Sequence, residues 1–167
     1  MEDVLDKHKQ EFDEIRRLCL LCHGLDLTSS TIFGSETYSN PTIETKSILH
    51  SLLSSHLLRL AVAIRINLYQ ESIENITIPV ETMVAGYYED HELIVKPVTI
   101  KDICDKIIHA DSVTKPIFPK NLLDSDVKIS FQLKGTNRKR AWTLNLSLEL
   151  FAETVLKLLD RIDHVSY

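Results

Sequence analysis

Between Val127 and Leu146 hydrophobic and polar residues alternate one for one, while the other clear patterns in the chain repeat at spacings of three and four. Val127, Ile129, Phe131 and Leu133 alternate with Lys128, Ser130, Gln132 and Lys134, and Trp142, Leu144 and Leu146 alternate with Ala141, Thr143 and Asn145 on the return. Successive side chains of a strand point to opposite faces, so this is the pattern of two half-buried strands. Gly135-Thr-Asn-Arg138 supplies turn residues between them. The spacing predicts a β-hairpin over 127–146, set into a chain that is otherwise helical.

The first helix is predicted from Glu2 to Leu21 or Cys22. Leu5, His8, Phe12, Ile15, Cys19 and Cys22 recur at alternating intervals of three and four and draw one seam along it. Gly24 is placed to end the helix in the left-handed conformation, and residues 27–40, rich in Ser, Thr and Gly, read as a loop. Asn40-Pro41 opens a second helix that continues to Ser72. Its middle, Ile48 to Ile64, is apolar round much of its circumference, which predicts a central helix touched from several sides. Residues 76–97 hold Pro79, Gly86 and an acidic run, and read as irregular with a short strand or a helical turn. Pro116 and Pro119 bar a direct helical continuation beyond the next helix. Ser147 caps the last helix, whose inward face is Leu150, Phe151, Val155, Leu158, Leu159 and Ile162.

The segment Thr99 to Ala110 carries the most suggestive polar residues. Thr99 caps a short helix, and Asp102 stands where a capping-box acid reaches back to the Thr99 amide. Ile100, Ile103, Cys104, Ile107 and Ile108 gather on one side, and Asp102, Asp105, Lys106 and His109 on the other. This polar side is the candidate binding face. Asp102, Asp105 and His109 lie at spacings that bring them together. They read as metal ligands, as an acid–base group with a histidine held protonated by carboxylates, or as a solvated face of mixed charge. Lys134 with Arg138, Lys139 and Arg140 forms a secondary basic cluster at the hairpin tip, either a solvated turn or a contact for phosphates.

Composition bounds the classes that remain. A chain of 167 residues supports one domain, 1–167, with its own hydrophobic core. Its 19 Lys and Arg against 24 Asp and Glu give a net charge of −5, which argues against a protein whose main task is to coat nucleic acid. The acidic, amphipathic start is unlike a signal peptide, and no apolar run approaches the roughly 18 residues of a membrane span. An odd number of cysteines, three, fits a reducing cytosol, so a cytoplasmic location without membrane contact is expected. Cys19-Leu-Leu-Cys22-His23 matches the haem-attachment pattern C-x-x-C-H, and with Cys104 it also supplies thiols for a zinc site. All three cysteines lie on apolar stripes, where free cysteine behaves as a small hydrophobe. They are expected to be buried, reduced and metal-free, and no cofactor is expected. Glycine-rich phosphate loops, G-x-S-x-G elbows and H-E-x-x-H elements do not occur.

The segment Ile103-Cys-Asp-Lys-Ile-Ile-His109 resembles the signature helix of the HEPN superfamily of small helical domains. In that family an Arg, often followed by Asn or Asp, precedes a His at R-x4-6-H spacing. Asp105 matches the position after the Arg, Lys106 and Ile107 fit the pattern, and His109 matches the histidine, while Cys104 stands in the place of the Arg. The string Asp-Lys-Ile-Ile-His-Ala is also similar to bacterial segments that read Asn-Lys-Ile-Ile-His-Ala. The resemblance implies a mainly α protein, a four-helix up-and-down bundle that often dimerises, with the His face lining a cleft between protomers. Catalytic members are metal-independent endoribonucleases in which the Arg steadies the scissile phosphate and the His is general acid or base. With Cys104 in the Arg position, the expected function is a non-catalytic binding or regulatory module. It would act as a homodimer on a protein, nucleotide or RNA partner, in a bacterial defence system. The alternative is an endoribonuclease using His109 with Lys101, or with Arg59 or Arg65.

Overall fold

The computed structural model describes residues 2–34, 41–69, 82–89, 95–114 and 128–165. Over these residues the protein is mainly helical, with four helices and an antiparallel hairpin before the last of them. The elements run α1 (Glu2–Gly34), α2 (Ile43–Tyr69), β1 (Thr82–Glu89), β2 (Val95–Thr99), α3 (Ile100–Ile108), β3 (Ser112–Thr114), β4 (Phe131–Asn137), β5 (Arg140–Leu146) and α4 (Leu148–Val165). The helix cap anticipated at Asn40, the prolines at 116 and 119, and Val127 lie outside the described residues.

From Phe12 onward the seam of α1 is buried as its spacing requires, while the side chains of Leu5 and His8 lie outside those described. Ile15, Cys19 and Cys22 are fully inside and Phe12 nearly so. Gly24 does not end the helix, which runs on to Gly34. A glycine stops a helix only if the chain beyond it gains more elsewhere, and here the following turns are anchored. The buried Asp26 accepts a hydrogen bond of 3.0 Å from the Ser130 hydroxyl and pairs with the Lys128 ammonium at 3.4 Å. An interior glycine costs about 1 kcal/mol relative to alanine, an amount such buried contacts outweigh.

The helix α2 starts at Ile43, two residues later than Asn40-Pro41 suggests. The Thr42 hydroxyl accepts from the Thr45 amide at 3.2 Å and serves as the capping group. Leu49, Leu53, Leu57, Leu60, Ala61, Ile64 and Leu68 enter the core, each large side chain contributing roughly 1.5–3 kcal/mol. The expectation that neighbours surround this helix is not met. Ile48 remains 62% exposed and Ile66 50%, and Leu52, Leu58 and Val62 are also outward. Among the described residues its main partners are α1 and α3, which cover one side. By length and composition α2 is also apolar enough to cross a membrane, which Ser, His and Arg interruptions conceal in a search for unbroken runs.

The hairpin is as the alternation predicts, yet it is the middle of something larger. Among the described residues five strands form one antiparallel sheet in the order β2-β1-β5-β4-β3. Phe131, Leu133, Trp142, Leu144 and Leu146 face the core, while Gln132 on the other face donates to Asn145 at 3.0 Å. Over 76–97, expected to be irregular with a short strand or a helical turn, the described residues form β1 and the start of β2, and residues 76–81 and 90–94 lie outside them. The pairing of β1 with β2 shifts register between Met83 and Val84 and again between Val84 and Tyr87. Such bulges break the alternation by which a strand is recognised. The tight turn also lies further along than Gly135. The final pair is Asn137 with Arg140, leaving Arg138 and Lys139 as the turn, with φ of 49° and 68°. Both are in the left-handed region that costs an L-residue about 1–2 kcal/mol.

The helices α3 and α4 rest against β1, α2 packs on α3, and α1 packs on both α2 and α4. One hydrophobic cluster takes residues from all four helices and from β2, β4 and β5. The hairpin is tied to α4 by Ser130, whose hydroxyl accepts from the Leu148 amide at 3.1 Å while donating to Asp26. The Ser147 hydroxyl accepts from Leu150 at 3.4 Å, completing the predicted cap. The expected inward residues of α4 are buried, save Leu150, which is partly exposed.

Candidate functional site

The capping box that starts α3 is formed as the sequence implies. Thr99 accepts from the Asp102 amide at 3.1 Å, and the Asp102 carboxylate accepts from the Thr99 amide at 3.2 Å. Ile100, Ile103, Cys104 and Ile107 are buried beneath the helix. Fixing that face downwards turns Asp102, Asp105, Lys106 and His109 together towards an open cleft of about 760 Å³. The opposite walls come from elsewhere: Arg65 from α2, Asp111 from the turn after α3, and Thr136, Asn137 and Trp142 from the hairpin.

Each wall is held by a specific contact. Arg65 Nε lies 2.6 Å from Asp105 Oδ1 and joins α2 to α3. Lys106 Nζ stands 4.4 Å from the centre of the Trp142 ring, a cation–π contact that joins α3 to β5. Partial burial lowers the Lys106 pKa, against the pull of Asp102 and Asp105. The Asp111 amide donates to the Lys134 carbonyl at 2.8 Å, and its carboxylate accepts from Thr136 at 3.3 Å. Trp142 lies flat over Gly135, its cross-strand partner; a Cβ there would overlap the indole and stand 3.0 Å from the His109 carbonyl oxygen. The hairpin glycine thus serves close approach and not the turn.

His109 is exposed at the end of α3, where its amide closes the helix on the Asp105 carbonyl at 3.1 Å. Its ring forms no hydrogen bond or ion pair among the described residues. The acid–base grouping of Asp102, Asp105 and His109 is therefore not assembled: Asp105 is engaged by Arg65 and Asp102 by Thr99. Among the described residues no three His, Cys, Asp or Glu side chains are arranged to hold a metal ion. Lys101 is exposed on α3 outside the cleft, and Arg59 faces α1, where it pairs with Glu14 at 3.4 Å. Of the cations proposed to accompany His109, Arg65 alone shares its cleft. Arg138, Lys139 and Arg140 are exposed at the turn that follows Asn137, on the cleft's rim.

The three cysteines are buried, unpaired thiols. Burial pushes Cys19 and Cys22 up to about 12, with Cys22 adding to the effect on Cys19. Burial, then the charge of Asp105, raises Cys104 as well. Thiols held in the neutral form are poor nucleophiles and poor ligands. The positions of Asp111, Thr136, Asn137 and Trp142 around the cleft carried no local sequence signal, since each depends on how the hairpin docks. No protein-family model matches the chain, and comparison with curated proteins and with solved structures finds no match.

Proposed function

We propose that this protein is a non-catalytic, HEPN-like binding module that works as a homodimer in the cytoplasm and offers the α3–hairpin cleft to a regulatory protein partner. The observation that carries this reading is the engagement of Arg65 by Asp105, with Asp102 and Asp111 lining the same cleft. The three carboxylates of Asp102, Asp105 and Asp111 outnumber the cations of Arg65 and Lys106 in the cleft. A phosphodiester entering there meets negative charge, where cleavage needs donors aimed at the developing oxyanion. A basic side chain of a protein partner meets carboxylates instead, with Asn137 as a further hydrogen-bonding group. The dimer is supported by the outward row Ile48, Leu52, Leu58, Val62 and Ile66 on α2, with Leu20 of α1 also exposed.

A second reading has one observation in its favour: Arg65 and His109 line one cleft, so an arginine and a histidine are available to a ribonuclease from different helices. Incubation with mixed RNA, beside His109→Ala, separates the two. The binding reading expects intact RNA in both reactions; cleavage abolished by His109→Ala establishes the ribonuclease. Sedimentation of Leu52→Glu/Val62→Glu beside the unaltered chain tests the dimer, which the double substitution should dissociate.

A further inference from the structure

We propose that the tip of the β4–β5 hairpin docks the phosphate backbone of a nucleic acid, without regard to base sequence. The chain has seven arginines. Arg16, Arg17, Arg59 and Arg65 are in ion pairs and Arg161 has a partner. Arg138 and Arg140 have none among the described residues, and the same holds for Lys134 and Lys139. All four are exposed. A chain with 24 acidic residues has carboxylates enough to neutralise them, yet among the described residues none does, and the consecutive Arg138, Lys139 and Arg140 repel one another. A polyanion relieves that repulsion and releases its own counterions on binding.

The backbone points the same way. The two-residue turn requires positive φ at both central positions, for which Asn-Gly is the relaxed choice. Arg138 and Lys139 occupy them at 49° and 68°, so charge is retained at the tip where conformation favours other residues. Lys134 precedes Arg138 by a further four residues, roughly 13 Å of strand, which suits a row of phosphates better than one ion. Such contacts fix position and carry no base information. Lys134, Arg138, Lys139 and Arg140 are not among the residues that line the cleft, so this site adjoins the one proposed for the protein partner without sharing its side chains.

Fluorescence anisotropy with labelled single-stranded RNA and duplex DNA tests the proposal, with inorganic phosphate and polyglutamate as competitors. Four phosphate contacts on a single strand predict a slope of about −3 for log K against log salt concentration. The variant Arg138→Asn/Lys139→Gly should melt about 2–4 °C higher, because the turn is relaxed, and bind roughly tenfold more weakly with a flatter slope. Arg138→Gln/Arg140→Gln should show the same weakening without the gain in melting temperature. Lys157→Gln, which removes an exposed cation from α4, should bind like the unaltered chain, which shows that position and not total charge decides binding. The proposal is overturned by absence of binding at low salt, by unchanged affinity in the two tip variants, or by polyglutamate or phosphate competing as well as nucleic acid.

Discussion

The Arg65 guanidinium meets the Asp105 carboxylate 2.6 Å away, so one ion pair fastens α2 to α3 and also engages the arginine that lines the cleft with His109. The side chains are 29% and 39% exposed. At that exposure water and salt screen the pair, and it contributes no more than about 1 kcal/mol. Asp105→Asn should therefore melt close to the unaltered protein while releasing Arg65 into the cleft. RNA should remain uncut by this variant; onset of cleavage would move the assignment to the ribonuclease.

Gly24 lies in the interior of α1, exposed, and a Cβ there meets no atom within 4 Å. Gly24→Ala should stabilise the protein by about 0.5–1 kcal/mol, because alanine loses less backbone freedom on entering a helix. Urea unfolding monitored by circular dichroism reads this directly. A destabilised variant would show that α1 ends near residue 24 in solution.

Gly135→Ala should act in the opposite direction. The added methyl must displace the Trp142 ring, with an expected cost of about 1–3 kcal/mol from overpacking. Trp142 is the sole tryptophan and is buried in the native fold, so its fluorescence emission should shift to the red. Unchanged emission together with unchanged stability would contradict the close approach of strand and indole.

The buried thiols predict a loss of stability in alkali. An unfolded cysteine ionises near its ordinary value of 9.0, whereas Cys19 and Cys22 stay protonated up to about 12. Between those values the unfolded chain binds fewer protons than the folded one, so stability falls as pH rises. Burial likewise raises Tyr69 to about 12, acting in the same direction at its upper end. Urea midpoints measured on either side of pH 9 should decline, and the decline should be shallower in Cys19→Ala/Cys22→Ala. Cys19→Ala alone should cost about 1–2 kcal/mol from lost packing.

Features set by neighbours within a turn or a pleat were legible in the chain. The Thr99–Asp102 capping box, the inward face of α4, the seam of α1 and the strands around 131–146 all follow from residues a few positions apart. Such contacts form whatever the remainder of the molecule does. The extension of α1 past Gly24 depends instead on Asp26 finding Ser130, 104 residues away. The strands 82–89 and 95–99 depend on a bulged pairing and on β5, with Gly86 opposite Leu146. The apolar circumference of α2 recorded that much of it could be buried and held nothing about which side would be.

The polar face of α3 belongs to the chain's local pattern, but the cleft does not. His109 acquires its surroundings only when α2 brings Arg65 and the hairpin brings Trp142 and Asn137. Arg65 and Asp105 are forty residues apart. Periodicity extends over a few turns and cannot encode such a meeting; the packing of α3 between α2 and the sheet decides it.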